Sequence, residues 1–264
     1  MASERATVSQ LVDGTRLTVD YSRPRARGRT NIYGGLEQYN SAWTPGADQA
    51  TTLDITRPVH VLGHAVPKGK YSLWLVLREQ GAWTLVLDPR PALFHTAHPD
   101  STREQIRAPI MPINVPHTEI LTWTFSAVTI SSATLEMRWG TKGIAVPIEI
   151  TPTYPLTVNA AEVAPLIGVY DFTPTGRGAA SVFTISLRGD KLFGVWKEKN
   201  GSSSETQLLQ SAPDEFMRTD VHDGEIWSLL EGSKFLFKRA GDVVTGFDLM
   251  FNKSVDARGV RRRP

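Results

Sequence analysis

Apolar residues recur at every second position in segment after segment of this chain, and no window keeps a spacing of 3.6 residues for three turns. That period restricts the fold to sheet. A strand sends alternate side chains to opposite faces, whereas an amphipathic helix needs apolar residues three and four apart. In residues 14–21, Leu17, Val19 and Tyr21 alternate with Arg16, Thr18 and Asp20. Residues 50–56 repeat the pattern, and 59–62 form a short strand before the turn Pro67-Lys68-Gly69-Lys70. Residues 71–77 and 83–87 are apolar on both faces and are joined by Arg78-Glu79-Gln80-Gly81-Ala82. They read as a hairpin at the centre of a sheet that is covered on two sides.

Further on, the pattern divides the chain in two. Between 88 and 116 six prolines (89, 91, 99, 109, 112 and 116) predict irregular backbone. One short helix is expected near 101–105, with Ser101 as cap and Glu104 completing a capping box. Residues 119–125 and 133–139 read as strands, and Gly140-Thr141-Lys142-Gly143 as a turn into 144–150, whose Pro147 suits a sheet edge. Thr151-Pro152-Thr153-Tyr154-Pro155 begins a stiff, extended linker. Beyond it, strands at 182–187, 191–196, 234–238 and 243–251 are separated by the tight turns Gly189-Asp190 and Ala240-Gly241-Asp242. The expected architecture is therefore all-β: a β-sandwich or jelly-roll-like domain over 1–150, a Pro-rich linker over 151–162, and a smaller β-barrel-like domain over 163–264.

Residues 20–46 interrupt this regularity. They hold Pro24, Gly28, Gly34, Gly35 and Pro45 together with Arg23, Arg25, Arg27 and Arg29 and the aromatics Tyr21, Tyr33, Tyr39 and Trp43. So many turn formers predict one long ordered loop, and loops of that length in compact domains usually bind or cover something. Net charge is only +2, so no global field selects a polyanion such as nucleic acid, and none is expected as a partner. Local charge is concentrated instead in this loop and in the tail Arg258, Arg261, Arg262 and Arg263. The absence of cysteine excludes disulfides, thiolate metal sites and a cysteine nucleophile.

Each catalytic pattern meets an obstacle of spacing or context. His60 and His64 are four apart in strand and turn, where an extended chain separates them by roughly 13 Å. His95 and His98, with Asp100 or Glu104, have ligand chemistry for zinc, but they sit in irregular backbone. There is no Gly-x-Ser-x-Gly elbow, and Ser22 reads first as a hydroxyl bonding the backbone at a strand exit. Glu37 and Asp48 lie in or beside the long loop without a spacing that fixes them across one cleft. No cofactor or metal is therefore expected. Trp74, Trp83, Trp123 and Trp139 fall inside strands and read as core, which leaves Tyr33, Tyr39 and Trp43 for a surface role.

Asp20-Tyr21-Ser22-Arg23-Pro24, Gly28-Arg29, Gly34-Gly35-Leu36, Trp43, Gly46-Ala47, Ala50-Thr51-Thr52 and Pro67-Lys68-Gly69-Lys70-Tyr71-Ser72-Leu73 form an ordered series. On these motifs residues 7–150 resemble the bacterial domain-of-unknown-function family numbered 2911. The resemblance implies a β-rich, typically exported protein and carries over no catalytic residue. Gly168-Val169-Tyr170, residues 187–192 and Val244-Thr245-Gly246-Phe247 are weakly similar to the lipocalin-like β domains appended to β-lactamase-type hydrolases, which are non-catalytic accessories.

The expected function is a non-catalytic interaction protein, an extrinsic subunit docking on a larger protein complex such as a respiratory or photosynthetic membrane assembly, or on an anionic membrane surface. The partner-binding residues would be Arg23, Arg25, Arg27, Arg29, Tyr33, Tyr39 and Trp43, with Arg261, Arg262 and Arg263 of the tail. The alternatives are a carbohydrate or small-ligand binding module and a hydrolase with a site near Ser22 or His95/His98. Met1-Ala2-Ser3-Glu4-Arg5 shows no signal-peptide pattern. The expected location is periplasmic or otherwise exported, on a trimmed chain, and cytoplasmic if Met1 is the native start.

Overall fold

A computed structural model describes residues 3–95, 104–176, 178–197 and 201–263. The chain divides into two compact units, Met1–Thr151 and Pro152–Pro264, both built of antiparallel sheet. The first unit contains β1 (Glu4–Val12), β2 (Thr15–Arg23), β3 (Ala42–Trp43), β4 (Thr52–Ile55), β5 (Val59–Val61), β6 (His64–Val66), β7 (Gly69–Val76), β8 (Trp83–Asp88), β9 (Ile106–Ile110), β10 (Ile113–Ser126) and β11 (Ser132–Ile150). One sheet runs in the order β1-β2-β4-β7-β8-β9, with β3 also paired to β7, and the other in the order β10-β11-β5-β6.

Alternation makes these two sheets a sandwich. Leu17 and Val19 of β2, Leu53 and Ile55 of β4, and Leu73 and Leu75 of β7 share one buried cluster with Trp123 of β10 and Leu135, Met137, Val146 and Ile148 of β11. Each such side chain contributes roughly 1.5–3 kcal/mol through the apolar surface it removes from water. The central pair β7–β8 is covered on its second face as well. There Trp74, Val76 and Val86 pack with Ala50, while Ala42 and Leu93 close over them. This is why both strands are apolar on both faces.

Two expectations fail for reasons of backbone chemistry. The proline-rich stretch contains β9 and the start of β10, because Pro109 and Pro116 lie in strands at sheet edges, where a missing N–H breaks no ladder. The chain does not turn at 140–143 either. Gly140, with φ +56°, bends a continuous β11 that pairs with β10 up to Gly143 and with β5 from Ile148 onward. Pro147 precedes the paired segment, and its carbonyl accepts from the Leu62 N–H. The helix expected at 101–105 falls partly outside the described residues, and Glu104 and Gln105 lie in a turn leading to β9.

The second unit opens with α1 (Ala160–Val163), capped by Asn159 and followed by a 3-10 turn over Ala164–Leu166. Its strands are β12 (Gly168–Pro174), β13 (Ser181–Arg188), β14 (Lys191–Lys197), β15 (Ser203–Gln207), β16 (Leu209–Ala212), β17 (Glu215–His222), β18 (Glu225–Ala240), β19 (Val243–Phe251) and β20 (Ser254–Arg261). They form one sheet, β15-β14-β13-β12-β20-β19-β18-β17-β16, curled into a nearly closed barrel. Side-chain hydroxyls span the seam. Thr219 of β17 donates to the Gln207 carbonyl at 2.8 Å and accepts from the Gln207 N–H at 3.0 Å, and the Thr219 N–H donates to Thr206 at 3.0 Å. Phe183, Phe235 and Phe247 fill the interior, with the Phe183 and Phe235 rings stacked at 5.3 Å.

Candidate functional site

The long loop of the first unit, residues 24–41, is pinned at both ends. After β2 it runs beside β10, with the Leu121 N–H donating to Pro24 and the Ala26 N–H to Glu119, and Ala26 is fully buried. A left-handed turn at Arg27 (φ +52°) and Gly28 (φ +71°) reverses the chain, held by the Arg27 N–H on a Glu119 carboxylate oxygen at 2.9 Å. That bond is the first cause holding the Glu119 carboxyl below its usual range. Ile32 then packs on Gly140, where a Cβ would sit 2.7 Å from the Ile32 side chain. Gly34 lies under the Tyr39 ring and Gly35 against the Asn31 carbonyl, each so close that a Cβ would stand 2.3 Å from its neighbour.

The loop aromatics face inward, which corrects the surface role expected for Tyr33 and Trp43. Trp43 is only 7% exposed and pairs through β3 with Leu75 of β7. Its ring stacks on Trp139 at 5.8 Å. Tyr33 packs edge-on to both tryptophans and 5.2 Å from Trp83, and its hydroxyl donates to the Trp139 carbonyl at 3.1 Å. Rings of this size bury more surface than a loop can leave exposed without cost, so they plug the sandwich. Tyr39 is half-buried and lines a cleft of about 360 Å³ with Arg29 and Lys142.

The arginines separate into two groups. Arg23 is half-buried, its guanidinium donating to the Leu121 carbonyl and the Thr122 hydroxyl. Arg25, Arg27 and Arg29 are exposed, and among the described residues none of them forms an ion pair. The Arg29 guanidinium reaches only the carbonyls of Arg25 and Ala26. All three line one cleft of about 540 Å³, whose wall also includes Trp43, Trp139, Glu37, Asp48 and His95. The Trp139 indole N–H is buried and has no partner among the described residues.

Glu37 distinguishes this cleft from a generic basic surface. Burial raises its carboxyl to about 7, so near neutral pH it is a proton donor about as often as an anion. Its charge in turn pushes up the Tyr33 phenol, which burial has already raised. Asp48 has φ +62°, and its carbonyl accepts from the His95 N–H at 2.8 Å and contacts His95 Nδ1 at 3.1 Å. The backbone thus sets the histidine at the cleft rim. Arg25, Arg27 and Arg29 share the lining of the cleft with two acidic residues, Glu37 and Asp48.

The remaining expected residues lie elsewhere. Ser22 is 1% exposed, accepts from Arg5 at 3.4 Å, and is not among the residues lining the cleft. His98 and Asp100 lie outside the described residues. Among the described residues no group of three His, Asp or Glu side chains is placed to hold a metal. In the tail, the Arg261 guanidinium donates to the carbonyls of Pro165 and Ile167, and Arg262 is paired with Asp171 at 2.7 Å. Arg263 is exposed. Two of the three tail arginines expected to meet a partner are therefore engaged within their own unit.

Residues 3–148, more than half of the chain, match a family model described as protein of unknown function (DUF2911). None of the curated proteins matches the chain.

Proposed function

The chain belongs to the DUF2911 family, and for it we propose a non-catalytic binding role in which the first unit takes a small, multiply charged anion in the cleft under the 24–41 loop. The carrying observation is the convergence of Arg25, Arg27 and Arg29, free of ion pairs among the described residues, on a concavity of about 540 Å³. Cations that line one concavity repel one another, and an anion bound among them relieves that repulsion while forming charge-assisted hydrogen bonds. Protonated Glu37 adds a donor to the same wall. The volume falls in the range of small-molecule sites.

This refines the small-ligand alternative and stands against docking as an extrinsic subunit. Docking is favoured by the exposure of the same arginines and of Arg263, but concave placement and the internal bonding of Arg261 and Arg262 suit a small ligand better. A thermal-shift series with citrate, inorganic phosphate and neutral sugars separates the readings. Citrate or phosphate raises Tm in a saturable way under the ligand reading, and Arg25→Ala/Arg27→Ala/Arg29→Ala abolishes the rise. No saturable shift with either anion, together with salt-sensitive co-purification of a protein complex, supports docking instead.

A further inference from the structure

The second unit carries a separate pocket of about 500 Å³ at one end of its barrel, lined from seven of the nine strands. Its walls are Phe172 and Trp196, which pack edge to face at 5.9 Å, together with Leu249. Behind them the barrel core begins, with Phe183 4.5 Å from Trp196. On these apolar walls sits one cation. The Arg218 guanidinium lies over the Trp196 ring at 4.9 Å, its Nε is buried without a hydrogen-bond partner, and it forms no ion pair among the described residues.

A half-buried cation whose Nε has neither water nor a hydrogen-bond partner is costly to fold around. Burial accordingly pulls the Arg218 guanidinium below its usual range, against the opposing pull of Asp220 and Asp256. The indole face recovers part of the cost through its quadrupole, but it accepts no hydrogen bond from Nε in the ring plane. The other groups facing the site are poor substitutes. Asp256 is exposed at the rim, and Asp220 is already held by Ser228 at 3.1 Å. A cavity walled by Phe172, Trp196 and Leu249, with one guanidinium that forms no ion pair among the described residues, is complementary to an amphipathic anion.

We infer that this barrel-end pocket binds a small carboxylate carried on an apolar or aromatic body, with the carboxylate on Arg218 and the body against Phe172, Trp196 and Leu249. The planar guanidinium fork matches a carboxylate in two parallel hydrogen bonds. The site is distinct from the arginine cleft of the first unit in residues and in chemistry, since it needs an apolar body and offers one cation.

The test uses the full chain carrying Arg25→Ala/Arg27→Ala/Arg29→Ala, so that the first unit's cleft takes no part. 1-Naphthoate and its uncharged analogue 1-naphthalenemethanol are titrated by calorimetry. Naphthoate is expected to bind one to one and at least tenfold more tightly than the alcohol. Arg218→Met, which keeps the aliphatic bulk, is expected to remove that preference while leaving the alcohol's affinity unchanged. Absence of naphthoate binding, or equal binding by Arg218→Met, overturns the proposal. If Arg218→Met does not fold, Asp256→Asn at the exposed rim decides: naphthoate binding should tighten severalfold as a repelling charge is removed, and unchanged or weaker binding overturns the assignment.

Discussion

Glu37→Gln should stabilise the first unit in a strongly pH-dependent way. In the folded chain the Glu37 carboxyl is held at about 7 by burial, against an ordinary value of 4.5 in the unfolded chain. Between those values the folded form keeps a proton that the unfolded form has released, so stability falls as pH rises. The advantage of the protonated carboxyl is complete below 4.5 and gone once pH has passed through about 7. At about 1.4 kcal/mol per pH unit the whole interval is worth ~3 kcal/mol, and partial solvent access at the cleft reduces it to ~2–3 kcal/mol. The amide that Glu37→Gln introduces does not titrate and resembles the protonated acid. The variant should match the wild type near pH 4.5 and exceed it by about 5–10 °C in Tm at pH 8, using the usual 2–4 °C per kcal/mol for a unit of this size. Calorimetric unfolding of both proteins from pH 4.5 to pH 8 provides the assay. A difference in Tm that stays constant over that range refutes the burial of an ionisable Glu37.

Other perturbations probe the scaffold. The fully buried Asp88 carboxylate takes two guanidinium bonds from Arg90, at 2.8 and 2.9 Å, and one amide bond from Gln105 at 2.6 Å; the Arg90 bonds are the first cause holding it at about 2 instead of 3.8. Its contribution, about 2 kcal/mol, is present above pH 3.8 and lost as pH falls through 2, so Asp88→Asn should flatten the acid limb of urea-unfolding stability between pH 4 and pH 2. Thr219→Val deletes the hydroxyl across the barrel seam, takes from the Gln207 N–H its acceptor and from the Gln207 carbonyl the shorter of two hydroxyl donors, and should cost the second unit about 1–3 kcal/mol in chemical denaturation. Gly34→Ala forces a Cβ to 2.3 Å from the Tyr39 ring at a φ of +85°. It should lower Tm by the equivalent of about 1–3 kcal/mol and weaken citrate binding severalfold, as read by thermal shift with and without citrate.

The central strands were legible because they are buried on both faces. The hairpin β7–β8 and the alternating β2, β13 and β19 follow directly from their apolar period. Strand β1 was not, since it forms the sheet edge and its side chains are only half-buried, which leaves little contrast along residues 4–12. Strand β9 was hidden behind Pro109, a residue that rules out a central strand but not an edge. For the site, the loop and its arginines were visible as composition, whereas the direction of its aromatics was not. Tyr33 finds its hydrogen-bond partner 106 residues away and Arg261 finds one at 94, separations on which local pattern is silent. Glu37 stood out only with Asp48, as a carboxylate in or beside the loop with no spacing to fix it; the cleft it lines takes Trp139 from β11, a hundred positions further on.

The proposal that the arginine-lined cleft of the first unit takes small anions is tested most directly by calorimetric titration of citrate into the intact chain at pH 6. One site per chain is predicted, weakening severalfold from 50 to 300 mM salt and absent in Arg25→Ala/Arg27→Ala/Arg29→Ala. No binding heat in the wild type, or the same affinity in the folded triple variant, would contradict it.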